Sequence, residues 1–190
     1  MTKFLLLRPT TKIDASVKRF AEAGLDAVGC ALIDIVPLSN DIKFNHHHPD
    51  LIIVTSTAAA DMFVERADQD VPKDMPIIAV GPSTAKKLEN KFSSVSEAVP
   101  ANSEGVVAAI QARKIIPKQV LLLKGEGGRQ LIQQSLEKQG IRLVHQDLYK
   151  RVCLKKAQLT QEFVQSDIHC IIATSAAFVD AAYNYFEPEW

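Results

Sequence analysis

Runs of apolar residues alternate along the chain with stretches whose apolar residues recur at helical spacing. The apolar runs predict buried strands at 3–8, 51–55, 77–80, 120–123 and 168–174. The amphipathic stretches predict helices at roughly 57–67, 82–91, 103–113, 128–139 and 176–186, after a first helix that Thr10 or Thr11 begins and Gly24 ends. This alternation of strand and helix is typical of an α/β protein with a parallel sheet.

Two segments of the chain repeat each other, IIVTSTAAAD at 52–61 and IIATSAAFVD at 171–180. Each predicts a buried strand that ends in Thr-Ser, followed by a helix that begins with small residues. Thr-Ser is a common helix-capping pair, so capping alone explains either copy. Two well-separated copies, however, predict two similar sheets.

Two extended segments, 31–39 and 145–154, have no helical pattern and flank the middle of the chain. They predict that the chain leaves a first domain through one linker strand and returns through the other. The expected division is therefore 1–33 plus 155–190 for a discontinuous first domain and 40–146 for a second domain, with linker strands at 34–39 and 147–154.

The composition limits the kinds of partner that the protein is expected to bind. With 22 basic and 22 acidic residues the formal net charge is zero, which argues against nucleic acid as the main partner. No apolar run approaches membrane-spanning length. Three cysteines without CxxC spacing predict small buried thiols of a cytosolic protein. The segment FNHHHPD at 44–50 is interpreted as a solvated extended loop rather than a metal site, because no partner residues stand at ligand spacing.

A turn with three glycines, KGEGGR at 124–129, separates a predicted strand from a predicted helix. Gln130 stands where a dinucleotide-binding motif needs its third glycine, and no P-loop lysine follows the turn. Backbone N–H groups at such a turn favour an anion, and Lys124 and Arg129 flank it. A tight turn that merely lets the helix pack closely is the alternative.

Ligands of open α/β sheets bind at the carboxyl ends of the strands. The two Thr-Ser pairs and the glycine turn are predicted to lie at such ends. Helix N-termini that converge there suit a large polyanion, bound mostly by main chain. The candidate binding residues are Arg8, Thr55, Ser56, Ser83, Thr84, Lys124, Gly125, Gly127, Gly128, Arg129, Arg151, Thr174 and Ser175.

Seven motifs follow one another from residue 3 to the end of the chain: LLLRPT, LIIVTSTAAADMF, IIAVGPSTAKKL, PANSEGVVAAI, LLLKGEGGRQLI, QDLYKRV and IIATSAAFVDAAY. This ordered set resembles the uroporphyrinogen-III synthase family, most specifically in VGPSTA followed by LLLKGEGGR and LYKRV. The resemblance implies two flavodoxin-like parallel-sheet α/β domains joined by a two-stranded β ladder.

The resemblance also implies a lyase that cyclises hydroxymethylbilane to uroporphyrinogen III, with inversion of the last pyrrole ring and loss of water, in haem biosynthesis. The substrate has eight carboxylates, and the glycine turn would bind some of them. A cytoplasmic monomer without metal or organic cofactor is expected, and receipt of substrate from hydroxymethylbilane synthase is compatible with it.

Individual roles follow from matched positions. Tyr149 matches the family's tyrosine that offers a proton to the departing hydroxyl, and a ladder tyrosine that only packs is the alternative. Thr84 matches a family cleft threonine. Arg8, Lys124, Arg129 and Arg151 are expected to pair with carboxylates, unless they are solvated surface charges.

The family usually continues beyond the point where this sequence stops. The resemblance therefore implies a first domain truncated in its C-terminal part, with an incomplete apolar face, and either a piece of a longer protein or a cleft without one wall. Two other interpretations stay open. A bilobal small-molecule binding protein without catalysis would share the architecture, and a flavodoxin-like domain that binds a phosphate cofactor would need a single compact sheet.

Overall fold

A computed structural model describes residues 2–38, 42, 44–67, 71–128 and 130–186. Strands and helices alternate as the sequence predicts. In chain order they are β1 (Lys3–Leu7), α1 (Ile13–Glu22), β2 (Asp26–Pro37), α2 (Phe44–His47), β3 (Leu51–Val54), α3 (Thr57–Arg66), β4 (Ile77–Ala79), α4 (Pro82–Leu88), β5 (Val95–Glu97), α5 (Ser103–Gln111), β6 (Gln119–Gly125), α6 (Leu131–Lys138), β7 (Arg142–Leu159), β8 (Ile168–Ala173) and α7 (Ala176–Tyr185).

Contacts between Cα atoms divide the chain into two compact units. Unit 1 comprises Met1–Val36 with Arg151–Trp190, and unit 2 comprises Pro37–Lys150. Both boundaries fall inside the predicted linker strands 34–39 and 147–154. The assignment of these units as separate domains stays a prediction.

Unit 2 contains strands in the order β5-β4-β3-β6-β7. The pairs in this series are parallel, with Ile53 opposite Ile78 on one side and Leu122 on the other. Strands β3 and β4 are buried throughout, as continuous apolar runs in parallel sheets usually are. Their side chains pack with Val106 and Ile110 of α5 and with Leu136 of α6 in one core cluster.

Unit 1 contains the order β7-β2-β1-β8, in which β1 is parallel to both β2 and β8. Leu5, Leu7 and Val28 form its core with Phe178 of α7. Ile171 on β8 is 45% exposed and Tyr183 on α7 is 78% exposed.

Strand β7 is 18 residues long and contributes to both units. The hydrogen-bonded strands form one series of eight, where the sequence analysis predicted two similar sheets. Strands β2 and β7 are also longer than the extended segments predicted for them. A linker strand that continues a sheet keeps the sheet's backbone hydrogen bonds. The residue pattern therefore does not mark where the linker begins or ends.

The prediction of three buried thiols is wrong for two of them. Cys30 is buried, whereas Cys153 and Cys170 are exposed. Burial raises the pKa of the Cys30 thiol to about 11. Apolar neighbours in the sequence do not report which face of a strand a cysteine occupies.

Two shorter elements also differ from the prediction. Part of the segment expected as an extended loop forms the single-turn helix α2, and the short edge strand β5 had no sequence signal. Among the described residues no helix has the length and apolar character needed to cross a membrane. Nor do they contain a group of three His, Cys, Asp or Glu side chains arranged to hold a metal ion.

Candidate active site

The carboxyl ends of β3, β4 and β6 lie at one edge of the sheet in unit 2, because these strands are parallel. Thr55 follows β3 at this edge. Its N–H donates to the Leu123 carbonyl at 3.1 Å, and its hydroxyl approaches the same oxygen at 3.3 Å. Thr55, predicted to bind substrate, thus holds β3 to β6.

Ser56 is the N-cap of α3, and the residue is partly exposed. Its hydroxyl oxygen accepts a hydrogen bond from the Ala59 N–H at 3.1 Å. The same oxygen lies 3.1 Å from the phenolic oxygen of Tyr149, and either group can be the donor. Two side chains from distant parts of the sequence are therefore joined at the start of a helix.

Tyr149 is only 2% exposed. A register shift in β7 places it opposite Gly125, and its carbonyl accepts from the Glu126 N–H at 2.8 Å. The shift also explains why the consecutive residues Leu148 and Tyr149 are both buried, since a regular strand alternates. The Tyr149 ring is thus fixed at the same sheet edge as Ser56.

Gly125 is a glycine for steric reasons. A Cβ at this position would lie 2.4 Å from Cζ of Tyr149 and 2.8 Å from its hydroxyl oxygen. Real side chains essentially never approach so closely, so only glycine leaves room for the ring. Gly125, predicted from the sequence as part of an anion-binding turn, has a second reason to be glycine.

Gly127 and Gly128 have φ angles of +75° and +87°, which other residues rarely adopt. A Cβ on either would meet no atom within 4 Å, so the turn is open on that side. Its backbone remains accessible, as an anion-binding turn requires. Arg129, predicted to flank the turn, lies outside the described residues.

Lys124 is already engaged within the turn. Its ammonium group donates to the Gly127 carbonyl at 3.0 Å and lies 2.8 Å from Oδ1 of Asp147. The latter contact is an ion pair without hydrogen-bond alignment, because Oδ1 has no aligned donor among the described residues. Lys124 therefore stabilises the turn, and pairing with a substrate carboxylate would compete with Asp147.

The turn after β4 contains the candidate residues Ser83 and Thr84. Thr84 is 3% exposed, and its N–H donates to the Gly81 carbonyl at 3.1 Å. The Thr84 N–H is thus used within the first turn of α4, and a role for Thr84 in substrate binding stays a prediction. Ser83 is exposed at the same turn.

The remaining candidate residues of the described chain lie in unit 1. Arg8 donates through Nε to the Ser16 hydroxyl at 3.1 Å and lines a pocket of about 370 Å³ with Arg19, Phe20 and Thr174. Burial and the neighbouring Arg19 lower the pKa of the Arg8 guanidinium. The positive charge of this pocket favours an anion.

Ser175 and Arg151 also belong to unit 1, and both are exposed. Ser175 caps α7 in nearly the same backbone conformation as Ser56, with φ and ψ of −160° and 160°, which bears out the internal repeat. It makes no side-chain capping hydrogen bond. The two copies thus share their backbone, and Ser56 has the additional tyrosine partner.

The sequence analysis missed Asp147 and Arg19. Asp147 stands two residues before Tyr149 in QDLYKRV, and its pairing with Lys124 follows from the parallel register of β6 and β7. Arg19 carried no signal, since a basic residue on a helix is ordinarily solvated.

The fold and this site define an α/β protein with hydroxyl groups, an open glycine turn and cationic side chains at the ends of its strands. A family model described as Uroporphyrinogen-III synthase HemD matches residues 14–190. The chain belongs to this family.

Curated relatives are similar in sequence. The chain is 34% identical to a putative uroporphyrinogen-III synthase of Archaeoglobus fulgidus over 87 residues, which is 46% of this chain and 35% of the relative. It is 26% identical to the uroporphyrinogen-III synthase of Proteus mirabilis over 159 residues, or 78% of this chain and 79% of the relative.

Solved structures share the fold. The uroporphyrinogen-III synthetase of Helicobacter pylori aligns with a TM-score of 0.59 at 16% identity, covering 98% of this chain and 79% of that one. A mutant enzyme of Thermus thermophilus aligns with a TM-score of 0.55 at 13% identity, covering 80% of this chain and 64% of that one. The chain thus spans about a third of the first relative and somewhat under two thirds of the Thermus protein.

Proposed function

We propose that the protein is a uroporphyrinogen-III synthase, which cyclises hydroxymethylbilane to uroporphyrinogen III with loss of water and inversion of the last pyrrole ring. Membership of the family supports this activity. The observation that carries it is the pair of hydroxyl groups of Ser56 and Tyr149, which lie 3.1 Å apart at the carboxyl end of β3.

The chemistry requires little acid strength. An electron-rich pyrrole expels its hydroxymethyl oxygen readily as water once that oxygen receives a proton, which leaves an azafulvene cation. The cation then attacks the substituted carbon of the last ring, and the spiro intermediate fragments and closes again. A weak acid such as the Tyr149 phenol suffices for the first step, and positioning of the rings controls which carbon is attacked.

Binding of the eight carboxylates falls to main chain and a few cations in this proposal. The open turn at Gly127 and Gly128 offers accessible backbone, and Arg8 with Arg19 offers positive charge. The neutral overall charge is compatible with this, since helix N-termini attract anions without a basic excess. Monomeric state, cytoplasmic location and receipt of substrate from hydroxymethylbilane synthase belong to the same proposal.

Incubation with freshly made hydroxymethylbilane, oxidation, and isomer analysis of the porphyrin test this function. We expect the type III isomer to form faster than spontaneous closure produces the type I isomer. A protein that binds the bilane without changing the isomer would instead be a polycarboxylate-binding protein.

A further inference from the structure

The burial of Tyr149 conflicts with direct contact between its hydroxyl and a substrate. The whole residue is 2% exposed, whereas its hydrogen-bonded neighbour Ser56 is partly exposed. The Ser56 hydroxyl is therefore the one of the pair that a ligand at the sheet edge meets first.

The hydrogen bonds at Ser56 allow it to pass a proton on. A serine hydroxyl has one proton and two lone pairs. One lone pair receives the Ala59 N–H at 3.1 Å, and the other can receive the Tyr149 hydroxyl at 3.1 Å. In that arrangement the serine's own proton is directed at neither partner and can be donated to a third group.

We propose that Ser56 is the hydroxyl that contacts the substrate and that Tyr149 supplies the proton through it, an inference that rests on the proposed function. The leaving hydroxyl takes the proton of Ser56 Oγ as its carbon–oxygen bond breaks, and water departs. Ser56 simultaneously takes the Tyr149 proton, which leaves a phenolate. The proton that the product loses after ring closure returns to that phenolate by the same route, so no proton is gained or lost overall.

The start of α3 favours this charge distribution. A phenolate at Tyr149 would lie beside the N-terminus of a ten-residue helix whose N-cap is its hydrogen-bond partner. Partial positive charge at a helix N-terminus stabilises an adjacent anion. Gly125 completes the arrangement, because the absence of a side chain there lets the ring reach Ser56.

A double-mutant cycle tests the relay in the full chain. Ser56→Ala and Tyr149→Phe are each expected to lower kcat by roughly ten- to a hundredfold with little change in KM, and the double variant is expected to lose no more than either alone. Ser56→Thr retains a hydroxyl and should recover most of the rate. Losses that multiply in the double variant would overturn the relay, as would full activity in Ser56→Ala.

The loss of a helix cap needs its own control. Asn102 caps α5 in the same unit, where its side chain accepts from the Gly105 N–H at 2.9 Å and has no part in the site. Asn102→Ala should lower thermal stability as Ser56→Ala does but leave kcat unchanged. If it lowers kcat equally, the effect of Ser56→Ala is structural and the relay is refuted.

Carbon-13 labelling of the tyrosine ring gives a readout independent of turnover. The chain has three tyrosines, so Tyr149→Phe assigns the Cζ resonance of Tyr149. Ser56→Ala should shift that resonance and leave those of Tyr183 and Tyr185 in place. An unmoved Tyr149 resonance would exclude the hydrogen bond. Wild-type protein that does not accelerate type III formation would refute the proposed function instead, separately from the relay.

Discussion

Replacement of Gly125 by alanine is expected to displace the Tyr149 ring and to lower both stability and activity. The added Cβ would lie 2.4 Å from Cζ, 2.5 Å from Cε2 and 2.8 Å from the hydroxyl oxygen. Tyr149 cannot retreat easily, since it is 2% exposed and its carbonyl is held by the Glu126 N–H. The ring must therefore move away from Ser56 or the strands must separate.

The expected loss in stability and in turnover of Gly125→Ala can be estimated. Overpacking of a well-packed site costs about 1–3 kcal/mol, and replacement of glycine by alanine in the unfolded chain returns about 0.4–1 kcal/mol. The net loss in free energy of unfolding should be about 1–2 kcal/mol. Displacement of the ring from Ser56 would break the proton relay, so turnover should fall roughly ten- to a hundredfold, as expected for Tyr149→Phe.

Urea unfolding and the rate of type III formation measure the two effects. Gly125→Ala with Tyr149→Leu is the matched variant, since the smaller side chain makes room for the Cβ. It should recover stability relative to Gly125→Ala without recovering activity. A Gly125→Ala protein as stable and active as wild type would refute the packing of the ring on this glycine.

Tyr149→Phe should reduce turnover partially and leave substrate binding and the inverted isomer unchanged, and a switch to the type I isomer would make the tyrosine a positioning group. Gly127→Val should lose about 1–3 kcal/mol of stability and most activity, because a β-branched residue is strained at a φ of +75°, whereas Gly127→Asn should be milder. Thiol titration of native protein at pH 8 should modify Cys153 and Cys170 but not Cys30. Because folding raises the pKa of Cys30 from 9.0 to about 11, the unfolded chain ionises first at this thiol. The contribution of Cys30 to stability should therefore fall as the pH rises through this interval, and Cys30→Ala should make the fall in stability smaller.

The sequence predicted the order of strands and helices because buried parallel strands leave continuous apolar runs. It also predicted the Thr-Ser repeat, whose two copies have nearly the same capping geometry. Contacts that depend on how neighbouring strands are aligned could not be predicted from the sequence. The approach of Tyr149 to Gly125 depends on a shift of pairing in β7, and the engagement of Lys124 by Asp147 depends on the alignment of β6 with β7.

The burial of Tyr149 was equally hidden, since alternation along a regular strand cannot reveal two consecutive buried residues. Exposure of Cys153 and Cys170 was missed for a related reason, because local composition does not say which residues an outer strand leaves uncovered.

The rate and isomer of hydroxymethylbilane closure test the central claim most directly. Freshly made substrate is divided between buffer, wild-type protein and the Tyr149→Phe variant, and the products are oxidised and separated. The account predicts mostly type III porphyrin with wild type, the same isomer more slowly with the variant, and type I in buffer alone. Type I porphyrin at the buffer rate with wild-type protein would contradict it.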